Sequence, residues 1–310
     1  MKVSILVHNL DRADDLRRCL DSVCRQTYRP LELVLLDAGS TDNSLNVIGE
    51  CRERLRECGI EMSFVSCSLM GVAASRDLAA ARASGELLTF LDNDAILDAT
   101  DTIQRAAAKF ASDSRVGIVA FRVLERERTT IDRATWVYRR SADRWASVPF
   151  LTFTFAGGGC CIRSNLFASL GGFWQALRYA REEEDLAIGL IDAGYQILYA
   201  PDVVIRHFPS PRGRSSINER RWIELRNGLL VLWRRFPMPI AISAIVVRVG
   251  SMCIKVVLRK EGSVIRVFSA IQDAVVEWNR SRLTRKCISW QSTVRYAALH
   301  FTDAYGGHEI

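Results

Sequence analysis

The sequence predicts an α/β fold: a mostly parallel sheet flanked by helices, followed by a C-terminal helical appendage. Three observations point there. Short, unbroken apolar runs recur through the first 120 residues, and stretches of helical period separate them. Beyond Pro211 the short runs give way to long helical stripes with basic flanks. Strands alternating with helices build βαβ units, and parallel strands covered on both faces read as continuous apolar runs.

The predicted strands are VSILV (3–7), LELVLL (31–36), MSFV (62–65), ELLTFL (86–91) and VGIVAF (116–121). Helices are expected between them, over about 12–25, 42–58, 71–83 and 100–111, the second introduced by the N-cap signal Ser40-Thr41-Asp42. Residues 122–147 are dense in charge (ERERTT, RRSADR) and predict a solvated excursion or hairpin. VPFLTFTFAGGGCCIR (148–163) reads as strands around a triple glycine, and GGF (171–173) as a turn. REEEDLAIGLIDAG (181–194) is an amphipathic helix stopped by Gly194, and YQILYAP (195–201) a last strand ended by Pro201. In the appendage, Trp222, Leu225, Leu229, Leu232 and Phe236 form one helical stripe. Val264, Val267, Phe268, Ile271, Val275 and Trp278 form a second. The organisation that follows is a sheet-bearing unit over 1–210 and a basic helical region over 211–310.

An apolar fraction of 49% supplies a core and 25% charged residues is an ordinary soluble value. The net charge of +7 is unevenly placed: residues 206–300 hold 18 Lys/Arg against 5 Asp/Glu. Such a basic region suits anionic lipid, an anionic substrate or nucleic acid, but no nucleic-acid-binding motif accompanies it. Nine cysteines without a CxxC pair signal neither a disulfide framework nor a zinc site, so reduced thiols in a cytoplasmic protein are expected. The opening KVSILV is too short for a signal sequence. The run PIAISAIVV (239–247) meets Arg248 and Lys255, which predicts no membrane-spanning helix.

Chemistry concentrates where the strands end. In an open parallel sheet, ligands bind beyond the carboxyl ends of the strands. Here those ends carry His8-Asn9, then Asp37 to Asp42, then Asp92-Asn93-Asp94. Asp92 and Asp94 share a face if their strand persists, and two like charges so placed call for a cation between them. A hard divalent ion such as Mg²⁺ or Mn²⁺, completed by substrate phosphates, fits that requirement. The bland alternative is a polar turn.

Four ordered blocks carry a resemblance. VSILVHNLDRADDLRRCLDSVCRQTYRPLELVLLDAGSTDNS, ASRDLAAARASGELLTFLDND, AGGGCCIRSNLFASLGGF and REEEDLAIGLIDAGYQILYAPDVVIRH resemble family 2 glycosyltransferases over about residues 2–235. The resemblance implies a GT-A fold, a Rossmann-like sheet, and a nucleotide-sugar donor (UDP-, dTDP- or GDP-linked). It further implies a divalent metal (Mn²⁺ or Mg²⁺), inversion at the anomeric carbon, and a glycan or lipid-linked glycan acceptor. By position it assigns His8, Asn9, Asp37, Asp42, Arg76, Asp92 and Asn93 to the donor, and Asp92, Asp94 and His207 to the metal. The acidic start of the 181–194 helix holds the general base: Glu183 aligns with that position and Glu182 precedes it, while Asp185 is a rival. Acids in a first helical turn also favour the helix dipole, which accounts for some of these residues without catalysis.

Several positions depart from the family pattern: His8 for Tyr or Thr, Asp77 for Asn, Gly189 for Arg, and Trp174 for Asp. Trp174 suits stacking on an acceptor sugar and equally suits a core. The basic, tryptophan-bearing helices suit a peripheral position on the inner face of the cell membrane, or simple packing on the core. Two other functional classes compete: a nucleotidyltransferase, disfavoured because HNLDRADD has no glycine-rich basic loop, and a non-catalytic binding module of the same fold.

Overall fold

The computed structural model describes residues 1–68, 71–210, 217–259, 263–280 and 285–305. The chain runs β1 (Val3–Asn9), α1 (Ala13–Cys24), β2 (Leu31–Asp37), α2 (Ser44–Glu57), β3 (Glu61–Ser66), α3 (Val72–Ala80), β4 (Leu87–Asp92), β5 (Ala95–Leu97), α4 (Thr102–Ser112) and β6 (Val116–Glu125). It continues through α5 (Ala142–Trp145), β7 (Phe150–Thr152), β8 (Gly159–Arg163), α6 (Ser164–Leu170), α7 (Glu182–Asp192) and β9 (Gln196–His207). Four long helices follow: α8 (Ile217–Arg235), α9 (Met238–Arg259), α10 (Val264–Arg280) and α11 (Trp290–Tyr305). The expected boundary at 210/211 meets residues 211–216, which lie outside the described residues.

One sheet has the order β3-β2-β1-β4-β8-β6-β9-β5, with β7 on β9. Its first four strands are parallel, as the sequence predicts. The second half is mixed, because β8 runs antiparallel to both β4 and β6. Side-chain alternation divides each strand between two cores. Ile5, Val7, Leu33, Leu35, Leu87 and Leu91 face one. Leu6, Val34, Leu36, Leu88 and Phe90 face the other. Each such fully buried aliphatic side chain contributes about 1.5–3 kcal/mol, which is why both faces must be covered.

Four expectations need correction. The last strand is not ended by Pro201: β9 runs on to His207, and its pairing with β6 shifts register between Ala200 and Val204 to pass the proline. Residues 122–147 are not simply solvated. Their charges hide an aromatic cluster in which Trp136 and Tyr138 pack on Phe150 and Tyr199, with the Arg140 guanidinium 3.9 Å from the Trp145 ring. The second appendage stripe is split, with Val267, Ala270 and Ala274 buried while Phe268 and Val275 are exposed. Finally, α9 runs unbroken through Arg248 and Lys255, so Met238–Leu258 is long and apolar enough to cross a membrane by length and composition. Two isolated cations do not end a helix. One side of α9 packs in a third core, with Ala241 and Val256 against Leu229 and Ile188, and this core joins the appendage to α7.

Candidate functional site

Strand register gathers the polar ends. Asn9 lies opposite Asp37, His8 opposite Asp92, and Ala95, just after Asp94, opposite His207. Four sequence-distant segments therefore share one rim.

Beneath it lies a buried amide–carboxylate network. Asn9 donates to Asp37, at 3.1 Å, and to Ser40 and Ser44, and accepts from Asn93 at 2.7 Å. Asp37 also accepts from the backbone N–H groups of Gly39 and Ser40. Asp42 accepts from the N–H of Ala13 and of Ser44, both at 2.9 Å, and so ties the starts of α1 and α2 together. The N-cap of α2 is Asn43, one residue beyond the Ser40-Thr41-Asp42 signal, and it makes no side-chain capping bond of its own. The Asn9, Asp37 and Asp42 side chains hold the loops that follow β1 and β2. His8 is kept neutral by burial, with Asp92 opposing that effect.

Asp92 and Asp94 do not share a strand face. β4 ends at Asp92, and a turn at 93–94 sends the second carboxylate elsewhere. Their repulsion is relieved by separate cations. Asp92, with a side chain 42% exposed, lies 3.3 Å from Arg76. Asp94, 5% exposed, lies 3.0 Å from Arg12 and 3.5 Å from His207 Nε2. Burial alone would raise the Asp94 pKa, but His207 and Arg12 hold it below the ordinary value. His207 Nδ1 donates to Asp132 at 2.5 Å. Burial disfavours the imidazolium, yet the hydrogen bonds to Asp132 and Asp94 raise its pKa to about 9. Asp94 and His207 thus converge, while Asp92 belongs to a different cluster. Among the described residues no group of three or more His, Cys, Asp or Glu encloses a metal. A two-donor carboxylate–imidazole pair fits a hard divalent ion whose remaining ligands come from substrate phosphates.

Arg76 is the hub of the second cluster. It lies 3.1 Å from Glu183, 3.5 Å from Glu182 and 3.3 Å from Asp92. The triple glycine makes room: a Cβ on Gly157 would collide with Glu183, and one on Gly158 with Asp92. Glu182 is buried, and among the described residues its Oε2 meets no donor. Burial, reinforced by Glu183, pushes its pKa well above the ordinary carboxylate value. Glu183 is partly exposed to the cleft.

Asp185 points away. It is 1% exposed and held bidentate by Arg235, both bonds 2.7 Å, with Arg234 at 3.4 Å. Residues i and i+2 lie about 200° apart on a helix, so Glu183 and Asp185 cannot serve one cleft. Removing one partner of a buried ion pair costs about 3–5 kcal/mol. Asp185→Asn is therefore expected to lose about that much stability in chemical denaturation. Intact stability with abolished turnover would return Asp185 to the base role. Trp174 sits half-buried against the helical core with the Arg234 guanidinium 4.3 Å from its ring. Asp77 accepts from the Phe173 N–H at 2.9 Å and holds the GGF turn.

Sequence reasoning missed Asp132, Arg12, Arg235 and Asn227. Asn227, on α8, donates to the carbonyls of Leu177, Tyr179 and Ala180 at 2.7–2.9 Å. That clamp matters because Arg178, Ala180 and Arg181 all adopt positive φ just before α7.

The family model for glycosyl transferase family 2 matches residues 4–171. The chain belongs to glycosyltransferase family 2. An uncharacterised glycosyltransferase of Nostoc sp. is 32% identical over 149 residues, 48% of this chain and 45% of that relative. The O-antigen chain rhamnosyltransferase RfbN of Salmonella typhimurium is 24% identical over 220 residues, 67% of this chain and 66% of the relative. The match thus spans less than half of the Nostoc relative's length. Among solved structures, a Pyrobaculum calidifontis mannosyltransferase in complex with GDP-Man and Mn²⁺ aligns with TM-score 0.59 and 21% identity, over 99% of this chain and 88% of that one. S. aureus TarS 1–349 with UDP-GlcNAc aligns with TM-score 0.62 and 14% identity, over 100% and 93%. These likenesses show a shared GT-A fold over nearly the whole chain.

Proposed function

We propose that the chain is an inverting, metal-dependent glycosyltransferase. It moves a sugar from a UDP-, dTDP- or GDP-linked donor to a hydroxyl of a glycan or lipid-linked glycan by single displacement. The observation that carries this reading is the Arg76 hub, which holds Glu183 and Asp92 within one guanidinium of each other. In this reading Asp92 orients the donor sugar through a hydroxyl. Glu183 takes the proton of the acceptor hydroxyl as that oxygen attacks the anomeric carbon. Arg76 fixes both carboxylates, and Glu182, kept protonated, spares the hub a third negative charge. One base suffices for a single displacement. Asp94 and His207 would hold Mn²⁺ or Mg²⁺, which when bound stabilises charge on the departing nucleoside diphosphate. Arg12 adds a fixed cation beside Asp94.

The same reading sets the enzyme at the cytoplasmic membrane face. It is supported by the outward apolar residues of α9 and by the basic charge of the helices around it.

Melting curves recorded with UDP, GDP and dTDP, with and without Mn²⁺, test the donor half. Ligands that bind only the folded state raise the melting temperature. One diphosphate is expected to give a rise of about 5 °C, larger with Mn²⁺ than without. No shift with any of the three, in protein shown to be folded, would reject the donor assignment.

A further inference from the structure

One stretch of chain holds His207 by its backbone and by its ring. β6 pairs with β9 so that Glu125 lies opposite His207. Just past β6 the chain turns back: the Glu125 N–H donates to the Thr130 carbonyl at 3.0 Å, and Leu124 bridges Ile131 in antiparallel fashion. On one side of this turn the Arg126 N–H donates to the His207 carbonyl at 3.0 Å. On the other side comes Asp132, whose carboxylate accepts from His207 Nδ1 at 2.5 Å.

Asp132 is itself fixed. Its N–H donates to the Val123 carbonyl at 3.1 Å, and its Oδ1 accepts from the Ala134 N–H at 2.9 Å. That leaves Oδ2 for the ring. The Asp132 side chain is only 9% exposed, so water competes little for that oxygen. The two oxygens thus have separate duties, with a chemical consequence. A carboxylate has no proton to give, so Nδ1 must carry one. The second ring nitrogen is then the one that offers a lone pair, and any proton on it is the one a cation displaces. That nitrogen, Nε2, is turned towards Asp94, at 3.5 Å.

We infer that Asp132 is a positioning residue for the metal site: it fixes the tautomer and orientation of the His207 ring so that Nε2 is the ligating nitrogen. The inference rests on the proposed Asp94 and His207 metal site and adds to it the group that makes the imidazole a ligand. Asp132 acts through His207 alone.

The separate duties of the two oxygens make the isosteric variant the more damaging one. In Asp132→Asn the Ala134 N–H still requires an oxygen, which turns the amide NH₂ towards the ring. An NH₂ group can only donate, so Nδ1 must accept and the ring proton sits on Nε2. A metal cannot displace that proton without breaking the new bond. In Asp132→Ala the ring loses its partner but keeps both tautomers. A purely structural role would rank the two the other way, because Asn preserves the shape and the bond to Ala134.

Calorimetric titration of the full chain with UDP, GDP and dTDP, with and without Mn²⁺, reads the metal-dependent part of the affinity without turnover. Asp132→Ala is expected to weaken that part about tenfold and Asp132→Asn about 100-fold, with metal-free nucleotide affinity unchanged in both. The chain has four histidines, so ¹⁵N spectra can follow the ring itself. With Mg²⁺ and nucleoside diphosphate bound, wild-type His207 should be protonated at Nδ1 only, and the Asn variant at Nε2. If Asn is as mild as Ala or milder, or if wild-type His207 carries its proton on Nε2, the inference is overturned. Loss of Mn²⁺ dependence in Asp94→Asn would then leave the metal site standing. If the wild type shows no Mn²⁺ dependence, both fall, and nucleotide binding without metal judges the donor assignment separately.

Discussion

Asp94→Asn is expected to lower kcat/KM by about 100-fold or more, the scale of losing a group that stabilises transition-state charge, and to remove the Mn²⁺-dependent part of nucleoside diphosphate affinity. Asp94 is the carboxylate on which Arg12, His207 and the Ser210 N–H converge. The amide keeps the shape and deletes the charge, so Arg12 is left without its carboxylate and an incoming dication loses the anion that would draw the proton-free His207 ring into its coordination. The two effects are separable. Calorimetric titration of the nucleoside diphosphate with and without Mn²⁺ reads the affinity directly, whatever the rate of transfer. Unchanged Mn²⁺ dependence in a folded variant would move the metal away from Asp94. Asp92→Asn should behave differently, with weaker donor binding at every metal concentration, because Asp92 belongs to the Arg76 hub.

Glu183→Gln should reduce kcat by about 10³-fold, within the range that general bases contribute, and leave the donor KM nearly unchanged. The substitution removes the proton acceptor but preserves a group able to meet Arg76, so the glycine-lined floor need not collapse. A loss in kcat without a loss in binding marks an interaction made only in the transition state. Release of nucleoside diphosphate with a saturating acceptor gives the rate, and the denaturation midpoint shows that the fold survives. A large rise in donor KM with kcat intact would make Glu183 a binding residue and leave the base unassigned.

How much of this was legible in the sequence depended on range. The strands were readable because alternation within six or seven residues already fixes which core each side chain enters, as Leu33, Val34, Leu35 and Leu36 illustrate. The rim was readable because sheet topology brings strand ends together wherever the strands lie in the chain. What the sequence left open depended on partners far along it. The burial of Asp185 away from Glu183 depends on Arg235, 50 residues away. The surroundings of His207 needed Asp132, 75 residues away, in a stretch whose charge suggested only solvent. The pairing of Asp92 with Asp94 rested on a strand that in fact turns after Asp92. The length of α9 was misjudged because two cations were weighed as breaks. A helix instead carries such charges to one side, as the seat of Arg248 over Gly228 illustrates.

The junction of α7 with α8 also bears on how such chains can diverge. A Cβ on Gly189 would lie 3.0 Å from Arg235 Nη1. A bulky side chain at 189 and the present Arg235 therefore compete for the same space, which the Arg235–Asp185 pair now fills. Substitutions at 185, 189 and 235 should consequently be inherited together, with Asn227 retained wherever the left-handed turn at 178–181 is kept. Recombination that grafted a foreign helical region onto residues 1–210 would break this covenant even if every cleft residue were preserved. The outer faces of the helices are then free to drift, while their inner faces remain tied to α7.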